Sequence, residues 1–240
     1  MGVPLNATLA DICNNGEWRI RSPRSDKQML VQTFMTTFHL TDTDDEFYWQ
    51  IEDKELLKFK TGRIYNLFQR HEPEVPWGRI VWNRSGIPKH SFLTWLAVLN
   101  RLPTRDRLLS WGLAVDPSCV LCSGGTESRN HLLFECTYSW NLWSASAARC
   151  DFHPTASDWT STLSTLQAIH LPSWKTRLLL LVWQLVIYSI WYERNARIHR
   201  LTFRSTDSVL SMIDRTVRNR IQALRESNPQ LSSQMIQAWL

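Results

Sequence analysis

At 240 residues and 28.2 kDa the chain is long enough for one ordinary core or two small ones. A composition of 43% hydrophobic and 20% charged residues is globular and excludes wholesale disorder. The net charge of +5 is unevenly placed: residues 1–170 hold 17 Lys+Arg and 18 Asp+Glu, whereas residues 171–240 hold 10 and 4.

In chain order, residues 1–46 mix short apolar pieces with breakers such as Asn14-Asn15-Gly16 and Ser22-Pro23, and end in the acidic run Asp42–Glu46. They read as a peripheral N-terminal segment, and the acidic run as a solvated turn rather than a magnesium site. Residues 1–10 offer neither a basic n-region nor an apolar h-region, so the expectation is no secretory signal and an intracellular location, nucleus or cytoplasm. Phe47–Ile51 is aromatic and β-branched and suits a strand, with Leu56–Lys60 as its hairpin partner. Gly62–Arg70 then suits a short helix.

From Val75 the apolar spacing turns helical through Trp77, Ile80, Val81 and Trp82. Pro88 opens the next helix at the position that needs no N–H, and Phe92, Trp95, Leu96 and Leu99 are expected on its inward face. Thr104 suits the N-cap of a third helix, Arg105–Trp111, which Gly112 ends.

Cys119 and Cys122, then His131 and Cys136, follow within eighteen residues. Three thiols and an imidazole fill the four positions of a structural Zn²⁺ and leave no seat for a catalytic water, so one structural zinc is expected. On a regular helix His131 and Cys136 would point about 140° apart. The spacing therefore predicts a short helix over about Arg129–Glu135 that is left near Cys136. Three thiolates and a neutral imidazole give the occupied site a formal charge of −1, which Arg129 is placed to soften. Cys150 and His153 lie outside this compact spacing and are the weaker alternative as ligands.

Tyr138, Trp140, Leu142 and Trp143 continue in helical register, and residues 146–170 read as a linker and short helix. Leu178–Tyr192 is almost wholly apolar but shorter than the roughly 20 residues of a membrane span. It must be covered, either inside the C-terminal unit or by a protein partner or a second copy. A last amphipathic helix is expected over Asp207–Glu226, with Val209, Ile213, Val217, Ile221 and Leu224 on one stripe. The thirteen tryptophans, against about three or four in an average chain, chiefly suit gap-filling between helices, with base stacking as the other use. The fold class is thus mainly α: a small zinc-stabilised helical domain with a short β-hairpin over residues 47–145, followed by a basic helical C-terminal region over residues 171–240.

The blocks Val75-Pro76-Trp77, Ile80-Val81-Trp82, Ile87–Leu96, Arg101–Leu108, Trp111-Gly112 and the Cys119, Cys122, His131, Cys136 set together resemble the zinc-binding domain of plant LINE-type (non-LTR) retrotransposon reverse transcriptases. The likeness spans about Phe47–Trp143, and Ile190–Arg197 resembles the helix that often follows in plant copies. The resemblance implies an accessory module that helps grip RNA or DNA, and Lys89, His90, Arg101, Arg105 and Arg107 are the candidate phosphate contacts. No polymerase activity is carried over: Asp44-Asp45 lacks the aromatic-x-Asp-Asp context, and no glycine-rich phosphate loop or HExxH occurs. A protein-interaction or structural helical module, and a transposon remnant without function, are the other readings.

Overall fold

The computed structural model describes residues 3–14, 16–38, 47–51, 54–56, 58–68 and 73–240, in two compact units, residues 1–72 and 73–240. In the first unit α1 (Leu9–Ile12) leads into an antiparallel pair, β1 (Cys13–Asn14) and β2 (Glu17–Trp18), turned at Gly16 with φ +82°. Gly16, one of the breakers read in the sequence, precedes β2 with a positive φ that suits glycine. Helix α2 (Asp26–Met35) follows, with Ser25 Oγ accepting the Gln28 N–H at 3.3 Å.

The second hairpin pairs β3 (Trp49–Ile51) with β4 (Lys54–Leu56), and α3 (Thr61–Phe68) closes the unit. A hairpin was expected here, but with Leu56–Lys60 as the partner. The register Ile51↔Lys54 instead leaves only two residues for the connection, the commonest hairpin length. No residue of this unit whose exposure is described is buried, and Asp42–Glu46 lies outside the described residues.

The second unit is helical throughout: α4 (Gly78–Val81), α5 (Pro88–Val98), α6 (Arg105–Ser110), a π-helical turn (His131–Glu135), α7 (Thr137–Ala148), α8 (Trp159–Gln167), α9 (Ser173–Arg200), α10 (Thr206–Ala223) and α11 (Pro229–Trp239). Helix α9 is the axis, with α4, α5, α7, α10, α11 and the π-turn packed on it. Residues 178–187 and Ile190 are all buried, so the apolar helix is covered within its own unit and offers those side chains to no partner. No helix among the described residues is long and apolar enough to cross a membrane. One hydrophobic cluster runs from Ile80 to Trp239 and includes Trp159 and Leu166 of α8. The short helix expected within residues 146–170 is α8, and its Trp159 joins the same core as α7 and α9.

Polar side chains make this packing specific. Gln184, the polar intrusion in α9, donates to the Ile80 and Val81 carbonyls (2.9 and 2.8 Å) that end α4, and accepts the Ser91 hydroxyl (3.0 Å) of α5. Gly86 sits over this junction, where a Cβ would lie 2.9 Å from Ser91 Oγ and 3.0 Å from Gln184 Oε1. Arg220 of α10 grips the same loop through the Ser85 and Gly86 carbonyls, both at 2.9 Å.

Helix α5 presents a different face inward from the one expected. His90, Ser91, Thr94 and Ala97 are buried, while Phe92 is 52% exposed and Trp95, Leu96 and Leu99 are only partly covered. Small side chains let α5 approach the bulky surface of α9 closely, and hydrophobicity alone does not report that preference. Helix α11 was missed, although Asn228 and Pro229 are an N-cap and N1 pair and Leu231, Met235 and Trp239 recur every four residues. The tryptophans divide: Trp143, Trp159, Trp183 and Trp239 are core, whereas Trp49, Trp82 and Trp111 are exposed.

Candidate metal centre

The four expected ligands converge. Cys119 Sγ, Cys122 Sγ, a His131 ring nitrogen and Cys136 Sγ all lie within 4.8 Å of one another. Cys119 and Cys136 are 4.0 Å apart, and His131 Nε2 is 3.3 Å from Cys122 Sγ, so Nε2 is turned toward the thiols. Zinc–sulfur bonds of about 2.3 Å at tetrahedral angles place sulfurs about 3.8 Å apart, and the donor set fits that geometry. The cluster is a site for one structural Zn²⁺ with a closed Cys₃His shell.

Local backbone geometry explains how a five-residue separation reaches one metal. Ser128 Oγ accepts the His131 N–H (3.1 Å) and starts the turn, and the Cys136 N–H then donates to the His131 carbonyl (2.7 Å), an i→i+5 bond. That π-helical step brings His131 and Cys136 onto the same side, which an α-helical step of 100° per residue does not. Ser139 Oγ, fully buried, takes up the Leu132 carbonyl at 2.6 Å. Cys136 then leaves helical geometry (φ −66°, ψ 129°) and stands as the N-cap of α7. A helix was expected to end between His131 and Cys136; the helix does end there, and the π-turn supplies the geometry.

Cys119 and Cys122 sit in a knuckle closed by Cys119 N–H to the Gly125 carbonyl (3.0 Å) and Ser123 N–H to the Cys119 carbonyl (2.8 Å). Gly125 takes φ +81°, and a Cβ there would stand 3.4 Å from His131 Cε1, so glycine serves both the turn and the imidazole. The Gly124 N–H points at Cys122 Sγ (3.4 Å). The Cys136 thiol is lowered to about 5, first by the hydrogen bond from Cys119 and, against burial, by the Ser139 and Tyr138 N–H groups at the start of α7. Cys119 is raised by the same shared proton and by burial. A thiolate at a helix N-terminus is the form a metal requires.

The knuckle is held from outside by Arg105, expected at a phosphate, and by residues not expected at the site. Arg197 of α9 donates to the Val120 and Leu121 carbonyls (3.2 and 2.9 Å), and Arg105 of α6 to the Ser118 carbonyl. Glu193, buried, orients Arg197 (2.9 Å) and Arg204 (3.1 Å). Fully buried Glu127 pairs with Arg194 at 2.8 Å and accepts the Arg105 N–H (3.1 Å), capping α6. Thr104 occupies the N-cap position but hydrogen-bonds Asp106 with its hydroxyl, leaving that role to Glu127. Glu193, Arg194 and Arg197 all lie in the Ile190–Arg197 block, whose mix of charges in an apolar helix was the available signal. Arg129 does not neutralise the site: its guanidinium stacks on Trp159 (4.6 Å) and reaches the Ala97 and Val98 carbonyls.

Much of the C-terminal basicity has the same structural use. Lys175, Arg194, Arg197, Arg204 and Arg218 are paired with carboxylates, and Arg220 with main-chain carbonyls. Cys150 is buried outside the cluster, its thiol pushed up to about 12 by desolvation, and His153 likewise takes no part in the site.

Among the candidate phosphate contacts, Lys89 is exposed, with Nζ 5.0 Å from the Tyr188 ring, and Arg101 is exposed. Arg105 is bound to Asp116 (3.2 Å) and the zinc knuckle, and Arg107 lies over Trp111 (5.2 Å) and reaches the Asn100 carbonyl. His90 points inward, 1% exposed, its ring 4.2 Å from that of Tyr188 and tilted by 34°; burial first, then Lys89, lowers it to about 4 and keeps it neutral. A buried neutral imidazole is not placed to meet a phosphate.

Residues 59–143 match the family model described as zinc-binding in reverse transcriptase. The matched segment contains all four ligands, and it is similar to the zinc-binding domain of those polymerases. No curated protein and no solved structure gives a match.

Proposed function

We propose that this chain is a zinc-held accessory module of reverse-transcriptase origin that binds RNA or DNA through its phosphates and has no polymerase activity of its own. The observation that carries the reading is the charge of the segment that leads into the metal centre. Val75–Arg105 contains Arg79, Arg84, Lys89, Arg101 and Arg105 and no Asp or Glu, and with Arg79 paired to Glu74 and Arg105 to Asp116 the cations left are Arg84, Lys89 and Arg101. A surface with that bias attracts a polyanion. The order of sequence blocks supports an origin in a plant LINE-type element, and a nuclear or cytoplasmic location accords with it. Lys89 and Arg101 are the free phosphate contacts in this reading, with Arg105 and Arg107 contributing through what their internal bonds leave open.

Binding of single-stranded RNA measured across a salt series tests it. Three or more phosphate contacts give a slope of log K against log salt of about −2 or steeper, since each contributes about −0.7 on a single strand. Lys89→Ala with Arg101→Ala should flatten that slope by about 1.4. Affinity that does not respond to salt would refute phosphate binding.

A further inference from the structure

Phe92 is exposed on α5 and Trp95 beside it is partly covered, and Trp82, at the end of α4 and 54% exposed, stands against them. The Trp82 and Trp95 rings are 6.3 Å apart and the Phe92 and Trp95 rings 5.6 Å, each pair tilted by nearly 50°. The three rings form a contiguous aromatic group in which Trp82 and Phe92 are exposed and Trp95 is partly covered, while Ser91 and Thr94 of α5 are buried. A helix that turns its small polar side chains inward and its aromatics outward reverses the usual preference for burying rings. The group is also firmly mounted. Gln184 holds the carbonyls of Ile80 and Val81 just before Trp82, and Arg220 holds the loop from Ser85 to Gly86. Arg84 lies in that loop, Lys89 one turn before Phe92 on α5, and Arg101 just beyond the helix, all three exposed.

From this arrangement we infer that the outer face of α4 and α5 is a base-stacking platform for single-stranded nucleic acid, with bases on Trp82, Phe92 and Trp95 and phosphates on Arg84, Lys89 and Arg101. The charge decides the occupant: Glu74 is paired with Arg79 of α4 (3.4 Å), which leaves Arg84, Lys89 and Arg101 as exposed cations here, and an aromatic face with such a cationic excess suits a polyanion with flat apolar bases. Only an unpaired strand offers free base faces, since in a duplex those faces are covered by their neighbours. The inference rests on the nucleic-acid reading above and adds to it the strandedness and the residues that read it.

The test compares wild type, Trp82→Ala with Trp95→Ala, and Arg84→Ala with Lys89→Ala in the full zinc-loaded chain. The probes are a fluorescent uridine homopolymer and an RNA duplex, each in a salt series, with circular dichroism and zinc content confirming the fold. Losing the two tryptophans should lower affinity for the homopolymer at least fivefold per ring with the salt slope unchanged, and leave duplex binding as it was. Losing the two cations should flatten the slope by about 1.4. If the tryptophan variant binds the homopolymer as wild type does, with the salt slope intact, the platform is refuted and phosphate binding stands. The platform is equally refuted if the tryptophan substitutions leave binding intact and instead break a self-association seen by light scattering. If wild type binds neither probe, the nucleic-acid reading and the platform fall together.

Discussion

Replacing Glu127 with alanine should destabilise residues 73–240 by about 3 to 5 kcal/mol, the range for stranding one partner of a buried ion pair. The carboxylate is fully buried, and Oε1 takes all of its bonds: Arg194 Nη2 at 2.8 Å, Arg194 Nε at 3.1 Å and the Arg105 N–H at 3.1 Å. Truncation leaves the Arg194 guanidinium, whose side chain is 5% exposed, with only the Pro103 carbonyl (3.3 Å) and Asn195 Oδ1 (2.9 Å). It also removes the acceptor at the first turn of α6, and an unmet buried N–H alone costs about 1 to 3 kcal/mol. Against a domain stability of about 5 to 15 kcal/mol this is a large share. Glu127→Gln keeps an acceptor but loses the charge and should cost about 1 to 2 kcal/mol, the difference between charged and neutral hydrogen bonds. Oε2 has no partner among the described residues, so the pair is imperfectly satisfied. Glu127→Leu combined with Arg194→Leu should therefore recover most of the loss, because neither charge is then left buried alone. Equilibrium urea unfolding of the zinc-loaded chain, followed by circular dichroism, reads wild type, Glu127→Ala, Glu127→Gln, the single variants Glu127→Leu and Arg194→Leu, and their double. A loss below 1 kcal/mol for Glu127→Ala, or a double variant as unstable as the sum of its singles, would refute the reasoning.

Arg197→Met should free the Val120 and Leu121 carbonyls and weaken zinc binding about tenfold or more, as changes behind metal ligands commonly do. Competition with a chromophoric chelator measures this, and unchanged affinity would contradict the role given to α9. His90 adds a pH dependence. It is lowered from 6.5 to about 4 by burial and then by Lys89, so below pH 6.5 the unfolded chain takes a proton that the folded chain refuses. Its contribution is complete above about pH 6.5 and is lost as pH falls toward 4, by about 3 kcal/mol across the window. Zinc loss occurs in the same range, so the comparison is with His90→Phe at each pH: the variant should lose less stability on acidification, and parallel curves would exclude His90.

The ligand set was legible because thiol and imidazole chemistry restricts which residue types can meet at one point, whatever fold surrounds them. The central burial of Leu178–Tyr192 was legible for a similar reason, as an apolar surface on all sides has to be covered. What the sequence hid depended on partners far along the chain. The inward face of α5 was misassigned because hydrophobicity favours Phe92 and Trp95, while the close approach of α9 favours Ser91, Thr94 and Ala97. The sequence shows only that the region after residue 171 is basic, whereas Arg194, Arg197 and Arg220 meet acceptors at Glu127, Leu121 and Gly86, at separations no local pattern reveals. The π-turn was hidden as well, since a five-residue spacing alone does not distinguish a broken helix from a widened one.

Zinc content of the purified full-length chain, set beside that of Cys136→Ser, tests the central claim most directly. The structure predicts one tightly held zinc per chain in wild type, and loss of the metal in the variant together with the folded baseline of residues 73–240, since the binding energy of such a site is folding energy. A wild-type chain that is folded and cooperative while holding no metal, with Cys136→Ser unfolding at the same point, would contradict the account.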